Sequence, residues 1–318
     1  MAILITGGAG YIGSVVAESL TKNNTVVILD DLSTGKKQLV NSNAIFVNGS
    51  ILNKKLLNNI FSKYQFDIVI HLAAKTVVPE SVLKPKLYMH VNVDGTKNIL
   101  SCMHKYGCEK IIFSSSAAVY GEPKSIPIKE SAPKKPCNPY GTSKLQAEHL
   151  ILNSHLKYCI LRFFNVAGAS HSLKYGMTKD KPTLLVAAVN KMLISGKRPI
   201  IFGNQYKTKD GTCIRDYIHV EDLSTACQLC IKYLKKHSTG IFNLGSNKGH
   251  SVLEVIKLAC NINKVPLQYD IKPNRLGDPS VLLASSQLAK FQLKWKPKFG
   301  LKDMVWTDYK FRVKNHLK

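Results

Sequence analysis

The sequence contains no uninterrupted apolar run near the roughly 18 residues that a membrane-spanning helix needs. Its N-terminus enters a strand-like segment directly, without the basic region, apolar region and cleavage site of a signal peptide. Its eight cysteines show no disulfide-like spacing, as is typical of reduced thiols in the cytoplasm. We therefore expect a cytoplasmic protein without a membrane span, and 318 residues are enough for two domains.

Cys227 and Cys230 have the spacing of a CxxC motif, but no second pair accompanies them. They fall on the apolar side of a helical pattern, so a buried helix face is a better interpretation than zinc or redox chemistry. We expect no metal site.

Acidic residues and arginines are scarce. Asp and Glu number 20 against 45 Lys and Arg, which gives a net charge of +25, and five of the basic residues are arginines. A basic chain can bind nucleic acid, but these lysines are spread along the whole sequence instead of forming one stripe. A solvated lysine-rich surface is the simpler interpretation, and its field can steer anionic ligands toward a cleft. We expect no specific nucleic-acid partner.

A glycine-rich loop lies between the strand-like run 2–6 and a helical pattern that starts near Ile12. Gly7 allows a tight turn, Gly10 lets backbone N–H groups approach a diphosphate, and Gly13 lets the helix pack close to the sheet. The helix N-terminus adds a partial positive charge. This context predicts a dinucleotide site.

Asp30 and Asp31 end the next strand-like run, 25–29. A carboxylate at that position can bind the hydroxyls of the adenine ribose and repels a 2′-phosphate. The sequence therefore favours NAD over NADP.

Tyr140 and Lys144 are four residues apart and would share one face of a helix, whose start is indicated by Asn138-Pro139. A phenol normally ionises near pH 10, but a nearby ammonium and a positively charged nicotinamide would lower its pKa. Ser116 ends a strand-like run, at the sheet edge where open α/β sheets bind ligands. We predict that Tyr140 is a catalytic base and that Ser116 hydrogen-bonds the reacting hydroxyl.

Strand-like and helical patterns alternate over the first 168 residues. Strands are expected at 2–6, 25–29, 44–47, 66–71, 110–115 and 158–163. Helices are expected near 12–22, 53–63, 90–106 and 139–155. The alternation predicts an α/β fold with a Rossmann-type doubly wound parallel sheet. After Gly168 we expect a loop at 169–181, a helix at 184–195 and a loop at 199–210.

Longer segments carry a family resemblance. They are 5–14, 29–33, 71–75, 79–82, 113–121, 138–141, 162–169, 210–220 and 242–245. Through them the chain resembles the UDP-glucose (galactose) 4-epimerases of the extended short-chain dehydrogenase/reductase family, from residue 3 to about residue 306. The resemblance implies an NAD-binding Rossmann domain at 1–168 and a smaller UDP-sugar-binding α/β domain at 169–318, with part of 212–245 returning to the first. It also implies a homodimer through helices 90–106 and 139–155.

The resemblance implies Ser116, Tyr140 and Lys144 as catalytic residues. The cofactor contacts that it implies are Gly7, Gly10, Tyr11, Ile12, Gly13, Asp30, Asp31, Leu72, Ala73, Ala74, Lys75, Asn92, Tyr140, Lys144 and Phe164. The substrate contacts that it implies are Lys75, Ser116, Tyr140, Asn165, Arg215, Arg275, Asp278 and Leu282.

The implied reaction is reversible C4 epimerisation of a UDP-hexose through a 4-keto intermediate, with transient hydride transfer to NAD. Dehydratases of this fold have an acidic residue after the serine or threonine, where this chain has Ala117-Ala118, so elimination is disfavoured. Leu282 aligns with a residue of the hexose pocket, where tyrosine tends to exclude a 2-acetamido group. Leucine is intermediate in size, so a UDP-N-acetylhexosamine or UDP-pentose substrate stays open.

Two other classes of function are compatible with parts of the sequence. One is a non-catalytic dinucleotide sensor, against which the intact Tyr140, Lys144 and Ser116 argue. The other is a polyanion-binding protein, which would bind heparin with a steep salt dependence.

Overall fold

The computed structural model of the protein describes residues 1–274 and 279–317. The strands are β1 (Ala2–Thr6), β2 (Thr25–Asp30), β3 (Ile45–Asn48), β4 (Ile68–His71), β5 (Lys110–Ser116), β6 (Lys157–Phe163), β7 (Asn165–Ala167), β8 (Ile200–Phe202), β9 (Ile214–His219), β10 (Thr239–Leu244), β11 (Gly249–Ser251), β12 (Asp270–Lys272) and β13 (Val281–Leu282). The α-helices are α1 (Tyr11–Leu20), α2 (Lys54–Tyr64), α3 (Val78–Leu83), α4 (Pro85–Met89), α5 (Gly95–Lys105), α6 (Pro139–Leu152), α7 (Leu185–Ile194), α8 (Val220–Tyr233), α9 (Val252–Asn263), α10 (Gln287–Gln292) and α11 (Leu301–Lys314).

The central sheet has seven parallel strands in the order β10-β6-β5-β4-β1-β2-β3. The chain reverses its direction of progress across the sheet between β1 and β4, and such a switch point is where open α/β sheets bind ligands. Buried side chains of the strands pack against α1 and α8 on one face and against α2, α5 and α6 on the other. The predicted Rossmann-type α/β fold is confirmed.

The main sheet also takes in a distant part of the chain. After β9, helix α8 packs against α1, where Ser224 Oγ lies 2.8 Å from Ser19 Oγ. Strand β10 then joins the edge of the sheet beside β6, with Thr239 opposite Tyr158. Residues 220–244 therefore extend the layer that the N-terminal segment begins.

The remaining elements form a smaller unit above the carboxyl ends of the main strands. Strand β9 pairs with β7, β11 and β13, and β8 pairs with β12. Helices α7, α9 and α11 enclose a separate cluster of buried apolar side chains. None of the helices in the described residues has both the length and the apolar composition that crossing a bilayer requires.

Two expected segments differ from the structure. The predicted loop at 199–210 contains β8, because residues 200–202 find their pairing partner about 70 positions later in β12. The predicted helix at 90–106 is a π-helical turn, His90–Asp94, followed by α5. In both places a tertiary contact or a local irregularity overrides the pattern of the sequence.

Candidate active site

A cavity of about 1060 Å³ opens at the carboxyl ends of the central strands, between the main sheet and the smaller unit. Most of the predicted site residues line it. They are Gly7, Gly10, Tyr11, Ile12, Gly13, Asp30, Asp31, Leu72, Ala73, Ala74, Lys75, Ser116, Tyr140, Lys144, Phe164, Asn165, Arg215 and Leu282. Asn92 is buried outside the cavity lining, and Arg275 and Asp278 lie outside the described residues.

The glycine loop is shaped by close backbone contacts. Gly7 has a φ of 74°, and a Cβ there would lie 2.6 Å from the backbone nitrogen of Ala73. A Cβ on Gly13 would lie 2.1 Å from the carbonyl oxygen of Gly7, so only glycine lets α1 begin here. A Cβ built on Gly10 would lie 3.2 Å from the same carbonyl oxygen, and no other described atom outside the adjoining residues would come within 4 Å of it. The loop thus leaves a backbone cradle open at the N-terminus of α1, which suits a diphosphate.

The acidic pair at the end of β2 is held rigidly beside this cradle. Asp30 accepts hydrogen bonds from the backbone N–H groups of Ala9 (3.0 Å) and Leu32 (2.9 Å). Burial raises the pKa of Asp30, although these two bonds favour its ionised form. Asp31 accepts a bond from the Ser33 N–H at 2.9 Å. Because a carboxylate has about four acceptor positions, each group can still bind ribose hydroxyls.

The helix that carries Tyr140 begins as the sequence predicts. The Asn138 side chain accepts a hydrogen bond from the Gly141 N–H at 2.9 Å, and Pro139 occupies the first turn. Tyr140 in the first turn of this helix lines the cavity with Ser116 at the end of β5, and the nearby Ser116 side chain acts to lower the pKa of the phenol. The phenol and the hydroxyl therefore face the cavity together.

Lys144 lies below Tyr140 on the same helix and is buried. Its Nζ donates a 2.7 Å hydrogen bond to the carbonyl oxygen of Ser114 and lies 4.9 Å from the centre of the Phe113 ring. Burial lowers the pKa of Lys144 to about 7, against the opposing effect of the Glu148 carboxylate.

The pKa of the phenol differs from the sequence-based expectation. Burial raises the pKa of Tyr140 above 10, and the hydrogen bond with Ser116 offsets only part of that rise. In the protein alone, desolvation dominates the pKa of the phenol, and Lys144 Nζ donates its hydrogen bond to the Ser114 carbonyl oxygen. The lowering of this pKa expected from the ammonium together with a positively charged nicotinamide stays a prediction.

The side chain of Asn92, for which the resemblance implies a cofactor contact, bonds to other residues of the chain in this structure. Its Oδ1 accepts a hydrogen bond from the Lys75 N–H (2.8 Å). Its Nδ2 donates to the Lys75 carbonyl oxygen (3.0 Å) and to Ser143 Oγ (2.9 Å). The amide is thus occupied by the chain itself, and it positions the backbone of Lys75, whose Nζ lies 3.4 Å from Ser33 Oγ.

The opposite wall of the cavity comes from the smaller unit. Asn165 donates to the carbonyl oxygen of Asp216 at 3.0 Å, which anchors β7 to β9. Arg215 is buried on β9, and Leu282 lies beside it in the register of β13. The Asp216 carboxylate accepts bonds from the N–H groups of Ser246 (2.6 Å) and other loop residues, and burial raises its pKa to about 6.

The sequence matches the model of the NAD dependent epimerase/dehydratase family over residues 3–245. The chain belongs to this family. It is 44% identical to a UDP-glucose 4-epimerase of Halalkalibacterium halodurans, in a match that covers 98% of this chain and 96% of that protein. The resemblance expected from the sequence is confirmed.

Solved structures of relatives agree with this family membership. A UDP-glucose 4-epimerase of Bifidobacterium longum in complex with NAD⁺ and UDP is 35% identical, with a TM-score of 0.94 over 100% of this chain and 99% of that chain. Another, from Stenotrophomonas maltophila with bound NAD and formylated UDP-arabinopyranose, is 32% identical, with a TM-score of 0.95 over 99% of both chains.

This family member also has a buried ion pair that the sequence analysis missed. Arg162 binds both carboxylate oxygens of Glu148, at 2.7 and 3.0 Å, and Ser115 Oγ donates to the same carboxylate. Glu148 follows Lys144 by one turn of α6, so its bonds to Arg162 and Ser115 fix α6 against β5 and β6. The detectable signal was an arginine inside an apolar strand, since a buried charge needs a partner.

His71 is a second missed residue. It is fully buried between two hydroxyls, with Nδ1 2.7 Å from Thr6 Oγ1 and Nε2 3.0 Å from Thr96 Oγ1. Thr6 Oγ1 also accepts a bond from the Ala73 N–H, so His71 ties the ends of β1 and β4 together beneath the glycine loop. Burial lowers the pKa of His71 to about 3, with the Lys144 charge adding to that effect.

The described residues contain no group of three or more His, Cys, Asp or Glu side chains that could hold a metal ion. Cys227 and Cys230 are buried within α8.

Proposed function

We propose that this protein catalyses the reversible C4 epimerisation of UDP-glucose and UDP-galactose with NAD as its resident cofactor. The observation that carries the proposal is one cavity in which Tyr140 and Ser116 face the glycine loop. The relative from Halalkalibacterium halodurans, a UDP-glucose 4-epimerase, supports the reaction. The Bifidobacterium longum structure, with NAD⁺ and UDP, supports the ligands.

The residues present fit NAD. The backbone cradle at Gly10 would hold the diphosphate, Asp30 and Asp31 the adenosine ribose, and Lys144 the nicotinamide ribose. When bound, NAD supplies the acceptor and donor of the hydride and a positive charge near the phenol.

Tyr140 and Ser116 would move the proton of the reaction. In its ionised form, the phenol takes the proton from the 4-hydroxyl of the sugar while Ser116 hydrogen-bonds the same oxygen, and C4 becomes a ketone. After the 4-keto sugar has turned, C4 would regain a hydride on its other face and Tyr140 would return the proton to the C4 oxygen. Tyr140 is half-buried beside Ser116, so the two groups that handle the proton lie together on the cavity wall.

The opposite wall would hold the UDP portion through Asn165 and Arg215, with Arg275 and Asp278 as further expected contacts. Guanidinium binds a diphosphate in two places at once, which suits an anchor for a sugar that must rotate. Ala117 and Ala118 line the cavity beside Ser116. Their side chains cannot transfer a proton, which argues against a dehydratase.

The decisive experiment combines cofactor release with Tyr140→Phe. Purified protein should release NAD on denaturation and convert UDP-galactose into UDP-glucose. Tyr140→Phe should lower turnover by roughly 10³-fold or more, because it removes the acid–base group, while NAD stays bound. Tyr64→Phe, in α2 away from the cavity, is the matched control. Undiminished turnover of Tyr140→Phe would reject the mechanism.

We also propose that residues 1–168, with part of 212–245, form the NAD-binding domain and that 169–318 supply most contacts to the UDP-sugar. The family resemblance supports a cytoplasmic homodimer that pairs α5 and α6 with the same helices of a second copy. Leu152, at the end of α6, is 39% exposed and would be covered there. Leu152→Glu should then halve the mass measured by sedimentation, and an unchanged mass would contradict this interface.

A further inference from the structure

A lysine that no sequence motif identified also lines the cavity. Lys179 lies in the segment that connects β7 to α7, and it faces the cavity together with its neighbours Met177 and Thr178. Lys179 therefore contributes to the cavity from the connection that leads into the smaller unit.

The first half of this segment is attached to the main sheet. The hydroxyl of Tyr11, in the first turn of α1, donates a 2.6 Å hydrogen bond to the carbonyl oxygen of Gly168. The side chain of Asn41 donates to the hydroxyl of Tyr175 at 3.1 Å. The segment therefore follows the dinucleotide end of the cavity before it reaches Lys179.

The backbone around Lys179 is held from the other side as well. Arg312, which is paired with Asp308 in the core of the smaller unit, donates to the carbonyl oxygen of Met177 at 3.2 Å. Lys191 on α7 donates to the carbonyl oxygen of Asp180 at 2.6 Å. Anchors on both sides of Lys179 fix the place from which its side chain extends, so its position in the cavity is built into the fold.

The charges around Lys179 leave room for an anion. Burial lowers the pKa of Lys179, the Lys75 charge lowers it further, and the Glu80 carboxylate opposes both. The Glu80 carboxylate is shared with other groups, because it accepts a hydrogen bond from the Tyr88 hydroxyl at 3.0 Å and lies 4.0 Å from Lys84 Nζ. Two cations that repel each other across a cavity are stabilised when an anion binds between them.

We propose that Lys179 binds a diphosphate in this cavity together with Lys75. Lys75 follows strand β4 of the main sheet, and Lys179 lies in the connection that leads into the smaller unit. Lys75 Nζ lies 3.4 Å from Ser33 Oγ, and Ser33 follows Asp31, an expected contact of the adenosine ribose, by two residues. Because Lys75 lies on this side of the cavity, the diphosphate that Lys75 and Lys179 bind is that of the dinucleotide and not that of the UDP-sugar. The inference rests on the proposed function and adds a residue to its cofactor site. Lys179 would close the cofactor in from the smaller unit.

The test compares NAD retention in Lys179→Met and Lys181→Met. Lys181 is an exposed lysine two positions along the same loop, so its replacement removes an equal charge without changing the cavity lining. Loss of a charge-assisted hydrogen bond should speed NAD dissociation by roughly tenfold or more in Lys179→Met. Lys181→Met should match the wild type, and Lys179→Arg should retain most of the effect of lysine. Circular dichroism and thermal melting check that all variants fold.

A second arm measures UDP binding by calorimetry on NAD-saturated protein, which separates the two diphosphates. Unchanged NAD retention together with a tenfold loss of UDP affinity would overturn the assignment to the dinucleotide. If neither quantity changes in Lys179→Met, the binding role is refuted while the proposed function stands. A wild-type protein that retains no pyridine nucleotide would instead refute the proposed function and the Lys179 role together.

Discussion

The two walls of the cavity are built from different materials. The wall formed by the main sheet consists largely of backbone and small residues such as Gly7, Gly10 and Ala73, which approach one another too closely for side chains. The wall formed by the smaller unit carries long side chains, including Arg215 and Leu282, from strands β9 and β13. At the glycine loop, the first wall recognises a ligand by shape and backbone polarity, whereas the second wall can be altered one side chain at a time.

The comparison predicts its largest effect at Gly13. In Gly13→Ala the new Cβ would lie 2.1 Å from the Gly7 carbonyl oxygen, so the loop and the start of α1 must separate. We expect loss of retained NAD and destabilisation by about 3 kcal/mol or more, as for severe overpacking. The measurements are dinucleotide content and chemical unfolding.

Gly300→Ala is the matched control, because its Cβ would have a single neighbour, Asp303 Oδ2, at 3.8 Å. It should behave like the wild type. Full NAD retention in Gly13→Ala would show that the backbone cradle is not the cofactor site.

The second wall should respond differently to Arg215→Lys. The change keeps the positive charge but removes the planar fork that binds a diphosphate in two places. We expect UDP affinity to fall by roughly thirtyfold, with NAD retention unchanged, as measured by calorimetry. Arg198→Lys, at an exposed arginine 3.9 Å from Asp270, should change neither quantity. Loss of NAD in Arg215→Lys would contradict the prediction that the second wall binds UDP and does not contribute to NAD binding.

The buried His71 should make the first wall sensitive to acid. Its pKa is about 3 in the folded protein against 6.5 for the exposed side chain. Between these values the unfolded state binds more protons, so stability from His71 is present above pH 6.5 and is lost as the pH falls toward 3. At pH 5 the loss should be about 2 kcal/mol relative to pH 7.5.

The measurement is the free energy of unfolding of the wild type and of His71→Gln at both pH values. Comparing the two proteins cancels other groups, including Asp216, whose raised pKa acts in the opposite direction. An equal pH dependence in the two proteins would contradict a neutral buried His71.

The smallest expected effect concerns the sugar. Leu282→Tyr should reduce activity on UDP-N-acetylglucosamine by roughly tenfold relative to UDP-glucose, because bulk in a pocket discriminates by about 1 to 3 kcal/mol. Competition assays with both substrates measure the ratio. Equal losses of activity on both substrates would contradict the assignment of Leu282 to the hexose pocket.

Features that depend on neighbouring residues could be predicted from the sequence, whereas features that depend on contacts between distant residues could not. The glycine loop, the capped start of α6 and the positions of the first strands depend on contiguous residues, and all of them appear in the structure. Strand β8 was missed because its partner is distant in the chain. The bonds that Asn92 makes to Lys75 and Ser143 were not predicted, because no local pattern connects these residues.

The sequence by itself determined the family, the α/β alternation and the residues able to do hydride and proton chemistry, because each depends on side-chain type and short-range spacing. Only the tertiary structure decided in which direction the pKa values of the site residues shift. Burial raised the pKa of Tyr140 and lowered that of Lys144, and the connection after β7 brought Lys179 into the cavity. Desolvation and charge proximity depend on what surrounds a group in space, and the folded chain alone defines those surroundings.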